Sequence, residues 1–328
     1  MDAGDTKIDL AELDAVRVYA LPMRTKFRGL CVRQGILLSG PTGWGEFCAF
    51  EDYSDTESVP WLAAALEACA GDWPEPVRDK IPVNCTVPAV TPDKAYEIAA
   101  TSGCSTAKVK VAEPEQDPGE DIERVSAVRD ALGSCGAVRV DANAAWDVDD
   151  AAARIKELDR AAHGLEYVEQ PCASVDELAA VRRRVDVRIA ADESIRRAED
   201  PLRVAVAEAA DVAVLKAAPL GGVHRALQVA EACGLPCVVS SAVESSVGLS
   251  AQLALAGALP ELPFACGLGT VSLLDGDVVA DSLVPSGGNL LVPRQAPEPA
   301  PARVAAATPS ARTQRRWLDR LRRVHALL

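Results

Sequence analysis

The chain has 328 residues, 49% hydrophobic and 25% charged, with a formal net charge of -14. That length suits one large barrel domain with a smaller companion, and that charge argues against nucleic acid and anionic membrane as partners. No apolar run approaches the roughly 18 residues of a spanning helix, and the acidic first residues carry no targeting signal, so a cytoplasmic protein is expected.

Ten scattered cysteines without a CxxC pair, beside only three histidines, read as small buried hydrophobes in a reducing compartment rather than a zinc site. In chain order, Val16–Leu21 and Leu30–Leu38 read as strands, Ser39–Gly43 as a turn, and residues 55–79 as a helix with Trp61, Leu62, Ala65 and Leu66 on one face. Residues 1–81 are therefore expected to form an α+β domain. After Pro82 the rhythm changes. Short β runs at 83–90, 106–112, 137–142, 165–170, 188–191, 212–215, 236–241 and 264–267 alternate with Ala/Arg/Glu-rich helical stretches. Eight βα units predict a parallel (β/α)8-type barrel over residues 82–270. Residues 271–293 contain β-like pieces expected to return to the N-terminal domain. Residues 294–328 are read as a Pro/Ala-rich linker, clearest at 296–309, followed by a basic amphipathic helix with Trp317, Leu321, Val324 and Leu328 at helical spacing.

Charged residues recur at the predicted strand ends: Lys108 and Lys110, then Asp141, Glu169 and Asp192, then Lys216. In a parallel barrel those ends converge on one mouth. Three carboxylates on successive strands suit a hard divalent cation such as Mg²⁺, with Mn²⁺ as the alternative. Lys108 and Lys110 lie two residues apart and so share a strand face. Lys216 is four strands further round a ring of eight, on the opposite side. A lysine in such a site can serve as a base, and a cation on a substrate carboxylate stabilises the enediolate left when an α-proton departs.

Lys108-Val109-Lys110, Asp141-Ala142-Asn143, Tyr167-Val168-Glu169-Gln170-Pro171, Ala191-Asp192-Glu193-Ser194 and Leu215-Lys216 together resemble the enolase superfamily, and more narrowly its muconate-lactonizing-enzyme subgroup. The resemblance covers almost the whole chain to about residue 293 and implies a modified TIM barrel under an N-terminal capping domain that includes Gly43-Trp44-Gly45-Glu46-Phe47. Within the subgroup, Ser240–Gly248, Lys216–Gly222 and Met23–Gly29 look like the dehydratases of menaquinone biosynthesis that form 2-succinylbenzoate. The resemblance then implies a small carboxylate substrate, a cyclohexadiene bearing a hydroxyl and a succinyl chain, which loses water in syn fashion. It implies Lys110 as the acid–base residue, Lys108 as its tuning neighbour, Lys216 as the cation on the far face, and Asp141, Glu169 and Asp192 as metal ligands. Asn143, Ser240, Ser241, Glu244, Ser245, Arg24, Lys26 and Arg28 become candidate substrate contacts, and Glu193 a supporting residue behind the ligands.

Two alternatives stay open on the sequence. The same lysine pair serves N-succinylamino acid racemases and dipeptide epimerases, although Ala265–Thr270 lacks the acid that an epimerase uses to hold an ammonium group. A non-catalytic barrel that binds a metal or a partner is the second.

Overall fold

The structure, a computed structural model, describes residues 10–71, 73–196 and 202–328. The N-terminal portion is an antiparallel meander of β1 (Ala15–Phe27), β2 (Leu30–Ser39) and β3 (Trp44–Phe47), backed by helix α1 (Asp55–Ala70). Ser54 and Glu57 form a reciprocal capping box at the start of α1, and Gly71 ends it in the left-handed conformation. The expected face, Trp61, Leu62, Ala65 and Leu66, is buried. Sheet and helix pack so closely that a Cβ on Gly45 would stand 2.0 Å from the Ala65 carbonyl oxygen.

Next come β4 (Lys80–Pro82) and the parallel strands β5 (Cys85–Val87), β6 (Thr106–Lys110), β7 (Ala137–Asp141), β8 (Val168–Glu169), β9 (Ile189–Ala191), β10 (Val212–Leu215) and β11 (Cys237–Val239), which pair in sequence order. Helices lie between most of them: α2 (Pro92–Thr101), α3 (Pro118–Leu132), α4 (Val148–Ala161), α5 (Val175–Arg182), α6 (Glu193–Arg196), α7 (Arg203–Val206), α8 (Ala217–Leu220) and α9 (Val223–Cys233), with α10 (Ser246–Ala258) after β11. Asp117, Asp147, Ser174 and Ser245 cap α3, α4, α5 and α10 with their side chains. The strands are buried on both faces, as a helix-covered parallel sheet requires.

The eighth expected run, 264–267, is reduced to two residues of pairing. Cys266 bridges to Val83 and Gly267 to Ser240, so the ring still closes. Gly267 meets the end of β11 closely: a Cβ there would lie 2.5 Å from Ser240 Oγ. The barrel is thus seven regular strands and a bridging segment. After it, Leu274 bridges to Met23, Val278 and Val279 pack with Tyr19 and Leu21, and β12 (Asn289–Leu291) pairs antiparallel with β4.

Residues 296–309 carry a short helix, α11 (Pro301–Ala306), and Ala20 N–H donates to the Ala307 carbonyl at 2.8 Å. The last helix, α12 (Ala311–His325), lies on the N-terminal domain. Trp317, Leu321 and Val324 are buried against it, with the Trp317 ring edge-on to Phe47 at 6.0 Å. All ten cysteines are free thiols. Eight are buried, but Cys31, near the start of β2, and Cys135, in the turn after α3, are exposed. Among the described residues, no helix is long and apolar enough to cross a membrane.

Candidate active site

The strand-end residues meet as the ladder register dictates. Lys110 pairs in register with Asp141, and Asp141 with Glu169. Asp141, Glu169 and Asp192 are each 1% exposed, Lys108 6% and Lys216 5%, so three acids and at least two ammonium groups share one desolvated space. Lys108 Nζ donates to both Glu169 carboxylate oxygens at 2.8 Å and lies 3.4 Å from Asp141. Lys110 Nζ donates to Asp141 and, at 2.5 Å, to Asn143 Oδ1. Lys216 Nζ donates to Asp192 at 2.6 Å. The Arg124 guanidinium binds the Lys110 carbonyl at 2.9 Å and so holds the strand end from behind.

Electrostatics follow from this pairing. Burial disfavours the charge of Asp141, but Lys110 and Lys108 outweigh it and hold the carboxyl well below its usual range. Glu169 goes the other way. Burial first, then the negative charge of Asp141, pushes it up to about 7 despite Lys108. Burial also opposes the charge of Lys108, yet Glu169 and Asp141 raise its pKa above the ordinary lysine value. A lysine among cations would be lowered. Here the carboxylates set the direction.

Among the described residues, no group of three acid, histidine or cysteine side chains is arranged to hold a metal ion. The ammonium groups take up the carboxylate oxygens instead. The donor set itself fits a hard divalent cation: three oxygen-only side chains on adjacent strands, buried and close enough that Glu169 feels the charge of both Asp141 and Asp192.

The cavity at the mouth measures about 30 Å³ and is lined by Lys108, Lys110, Asp141, Asn143, Asp192 and Lys216, together with Ser240, Ser241, Arg28 and several residues that sequence reasoning missed. Among those are Phe27 and Phe50 from the N-terminal domain and Thr86 and Thr270 from the barrel. Lys110 Nζ stands 5.2 Å from the Phe27 ring centre, and Arg28 stacks at 4.4 Å on Phe50. Asn143 and Arg28 both reach Glu193, at 3.4 and 3.8 Å.

Four expected substrate contacts do not line this cavity. Glu244 is buried, accepting from Ala242 N–H at 2.7 Å and Gln252 Nε2 at 2.9 Å. Ser245 caps α10 and donates its hydroxyl to Glu46 of β3. Arg24 is exposed and pairs with Asp275 at 3.5 Å, and Lys26 alternates to the outer, solvent side of β1. Period two explains the last case. Arg24, Lys26 and Arg28 are spaced alike, but the chain turns after Phe27 and Arg28 takes a positive φ of 52°, which sends it elsewhere.

The largest omission is Arg33 on β2. It is 2% exposed, and its guanidinium donates to the carbonyls of Val243 at 3.0 Å, Ala242 at 3.2 Å and Cys48 at 2.5 Å, while stacking 4.7 Å from Phe50. It thereby grips the Val243 turn in the cavity wall, where Val243 is held at φ 63°, costly for a β-branched residue. Gln170 is a further omission. Its Oε1 accepts the backbone N–H of Asp192 at 2.9 Å and of Ser194 at 3.2 Å, so it orients the Asp192 turn. A lone Arg in the middle strand of the meander gave no sequence signal. Gln170, adjacent to Glu169 in the same short motif, was recoverable.

Comparison with known proteins agrees with this architecture. Residues 91–297 match the family described as "Enolase C-terminal domain-like" and residues 18–69 match "Enolase N-terminal domain-like". An o-succinylbenzoate synthase from Thermobifida fusca is 63% identical over 85% of this chain and 87% of its own length. One from Mycolicibacterium smegmatis is 54% identical over 96% of this chain and 97% of its own. Among solved structures, 2-chloromuconate cycloisomerase from Rhodococcus opacus superposes with a TM-score of 0.76 at 23% identity, covering 90% of this chain and 99% of that one, a likeness of fold.

Proposed function

The chain belongs to the o-succinylbenzoate synthases of the enolase superfamily, and we propose that it dehydrates a succinyl-bearing hydroxycyclohexadiene carboxylate to 2-succinylbenzoate, a step of menaquinone biosynthesis. It is a carbon–oxygen lyase. Enzymes of this superfamily use a divalent metal. We assign Mg²⁺ here, with Asp141, Glu169 and Asp192 as the residues that hold it, in exchange for their contacts to Lys110, Lys108 and Lys216. When bound, the metal supplies positive charge to the substrate carboxylate and so acidifies the neighbouring C–H.

Lys110 Nζ takes that α-proton in its neutral form and then, as an ammonium group, returns it to the hydroxyl that leaves from the same face. Nothing is consumed, since the proton removed departs in the water formed and the ring becomes aromatic. Lys216, on the far side of the mouth, stabilises the spread negative charge between the two steps. Lys108, on the same strand face, adds positive charge beside Lys110 and holds Glu169. Phe27 and Phe50 line the cavity and would shut out water, and of its polar lining residues we assign Ser240, Ser241, Asn143 and Arg28 to the succinyl chain.

The observation that carries this reading is the convergence of lysines from two opposite strands on one cavity, with three buried carboxylates between them, of which Asp141 and Asp192 line it. The test is incubation with the cyclohexadiene substrate and Mg²⁺, following the ultraviolet absorbance of the aromatic product, with N-succinyl amino acids run in parallel. Aromatic product is expected, and a Lys110→Ala variant should lose it by about 10²–10⁴-fold. Racemisation without dehydration would reverse the assignment.

A further inference from the structure

The C-terminal helix α12 has no part in the chemistry above, yet its most buried charge is directed at the cavity wall. Arg320 is 8% exposed. Its guanidinium donates to the carbonyls of Ala49 at 3.1 Å, Phe50 at 2.8 Å and Tyr53 at 2.9 Å, and to Ser58 Oγ at 2.8 Å. Ala49, Phe50 and Tyr53 belong to the loop between β3 and α1. That loop has no strand partner, and its Phe50 ring reaches the cavity, where Arg28 and Arg33 both stack on it at 4.4 and 4.7 Å.

Docking of α12 does not require this arrangement. Trp317, Leu321 and Val324 supply an apolar face, and Arg316 and Arg323 pair with Glu51 and Asp55 at the rim. Burying a cation on neutral carbonyls is costly and gains little unless the carbonyls themselves need holding. The rigid guanidinium fork sets the positions of three carbonyls relative to one another, which a flexible ammonium group cannot do.

We propose that α12 acts on the active site through Arg320, a positioning residue that holds the 48–53 loop and thereby keeps the Phe50 ring against the cavity. The tail is then a strap on the substrate-facing wall rather than an appendage. Phe50 contributes contact and exclusion of water but no proton transfer, so loss of the strap weakens substrate binding more than turnover.

Two measurements test this, one of them independent of the reaction assigned above. In Arg320→Met, hydrogen exchange of the backbone amides of residues 49–53 is expected to quicken about tenfold while those of residues 137–141 in β7 stay unchanged. Unaltered exchange at 49–53 overturns the proposal whatever the substrate. The kinetic arm rests on the dehydration reading. KM should rise about tenfold with kcat within about threefold, Arg320→Lys should lie between, and Arg323→Ala on the same helix should match the wild type. In a Phe50→Leu background, Arg320→Met should add little further to KM. Fully additive effects, or a fall in kcat alone, would refute a role through Phe50. If Arg320→Met does not fold, Arg320→Lys carries both measurements, with smaller shifts in the same direction. A wild type that forms no aromatic product would defeat the assigned reaction, and the exchange data would still decide the strap.

Discussion

Replacing Arg33 with methionine keeps most of the side-chain volume and removes the guanidinium that joins the N-terminal domain to the barrel. Three buried carbonyls, of Val243, Ala242 and Cys48, lose their donor. Each buried group left unsatisfied costs about 1–3 kcal/mol, and breaking a buried charged network costs about 3–5 kcal/mol in all. Partial relaxation of the Val243 turn argues for the lower part of that range, so we expect a loss of about 3–4 kcal/mol. The loss should depend on pH. Glu244 is held above the usual carboxyl range, chiefly by burial and then by Glu46, with Arg33 opposing. Without Arg33 it is raised further, so the folded state binds the proton more readily than the unfolded chain does. Stability then falls as pH rises through the folded pKa and recovers as pH falls toward the unfolded value. Urea unfolding at pH 8 and at pH 5.5 measures both parts: a larger deficit relative to wild type is expected at pH 8. A deficit below about 1 kcal/mol, or one larger at pH 5.5, would refute the reasoning.

Other outcomes follow from the same geometry. Chelation by EDTA should abolish dehydration, and restoring Mg²⁺ should raise the melting temperature, with saturation at 100 times the dissociation constant contributing about 2.7 kcal/mol; no thermal shift with Mg²⁺ would argue against the carboxylate trio as its site. Because Glu169 is raised to about 7, protons compete with the metal below that value, and the Mg²⁺ concentration at half-saturation in a thermal-shift titration should increase as pH falls from 8 to 6. In the metal-free protein the same shift has the opposite consequence: the proton is bound more tightly folded than unfolded, so Glu169 favours folding as pH falls from about 7 toward its ordinary value. Gly45→Ala should destabilise by about 2 kcal/mol or more, since its Cβ would meet the Ala65 carbonyl oxygen at 2.0 Å; an unchanged urea midpoint would mean that β3 and α1 separate easily.

Much of the barrel was legible because it is locally encoded. Short β-rich runs, capping pairs such as Ser174 with Glu177, and charges at the ends of runs all act within a few residues. The ring of eight then followed from counting, and so did the placement of Lys110 and Lys216 on opposite sides of a mouth. The bridging form of the eighth strand did not follow, because the close approach of Gly267 to Ser240 depends on how the ring closes. Ser240, Ser241, Glu244 and Ser245 were all expected to face the substrate, whereas Ser240 and Ser241 line the cavity and Glu244 and Ser245 turn to meet Gln252 and Glu46.

By itself, then, the sequence determined which residues could gather at the mouth: two lysines on one strand, three acids on the next three, and a lysine half a ring away. Tertiary structure decided what surrounds them. Arg33 reaches Val243 across 210 positions and Arg320 reaches Ala49 across 271, and contacts at such separations leave no periodicity to read. It also decided the state of the charges, because whether Glu169 is raised and Asp141 lowered depends on burial and on which ammonium group lies nearest. Strand spacing orders the charged groups along the chain, and only folding sets the distances through which they act.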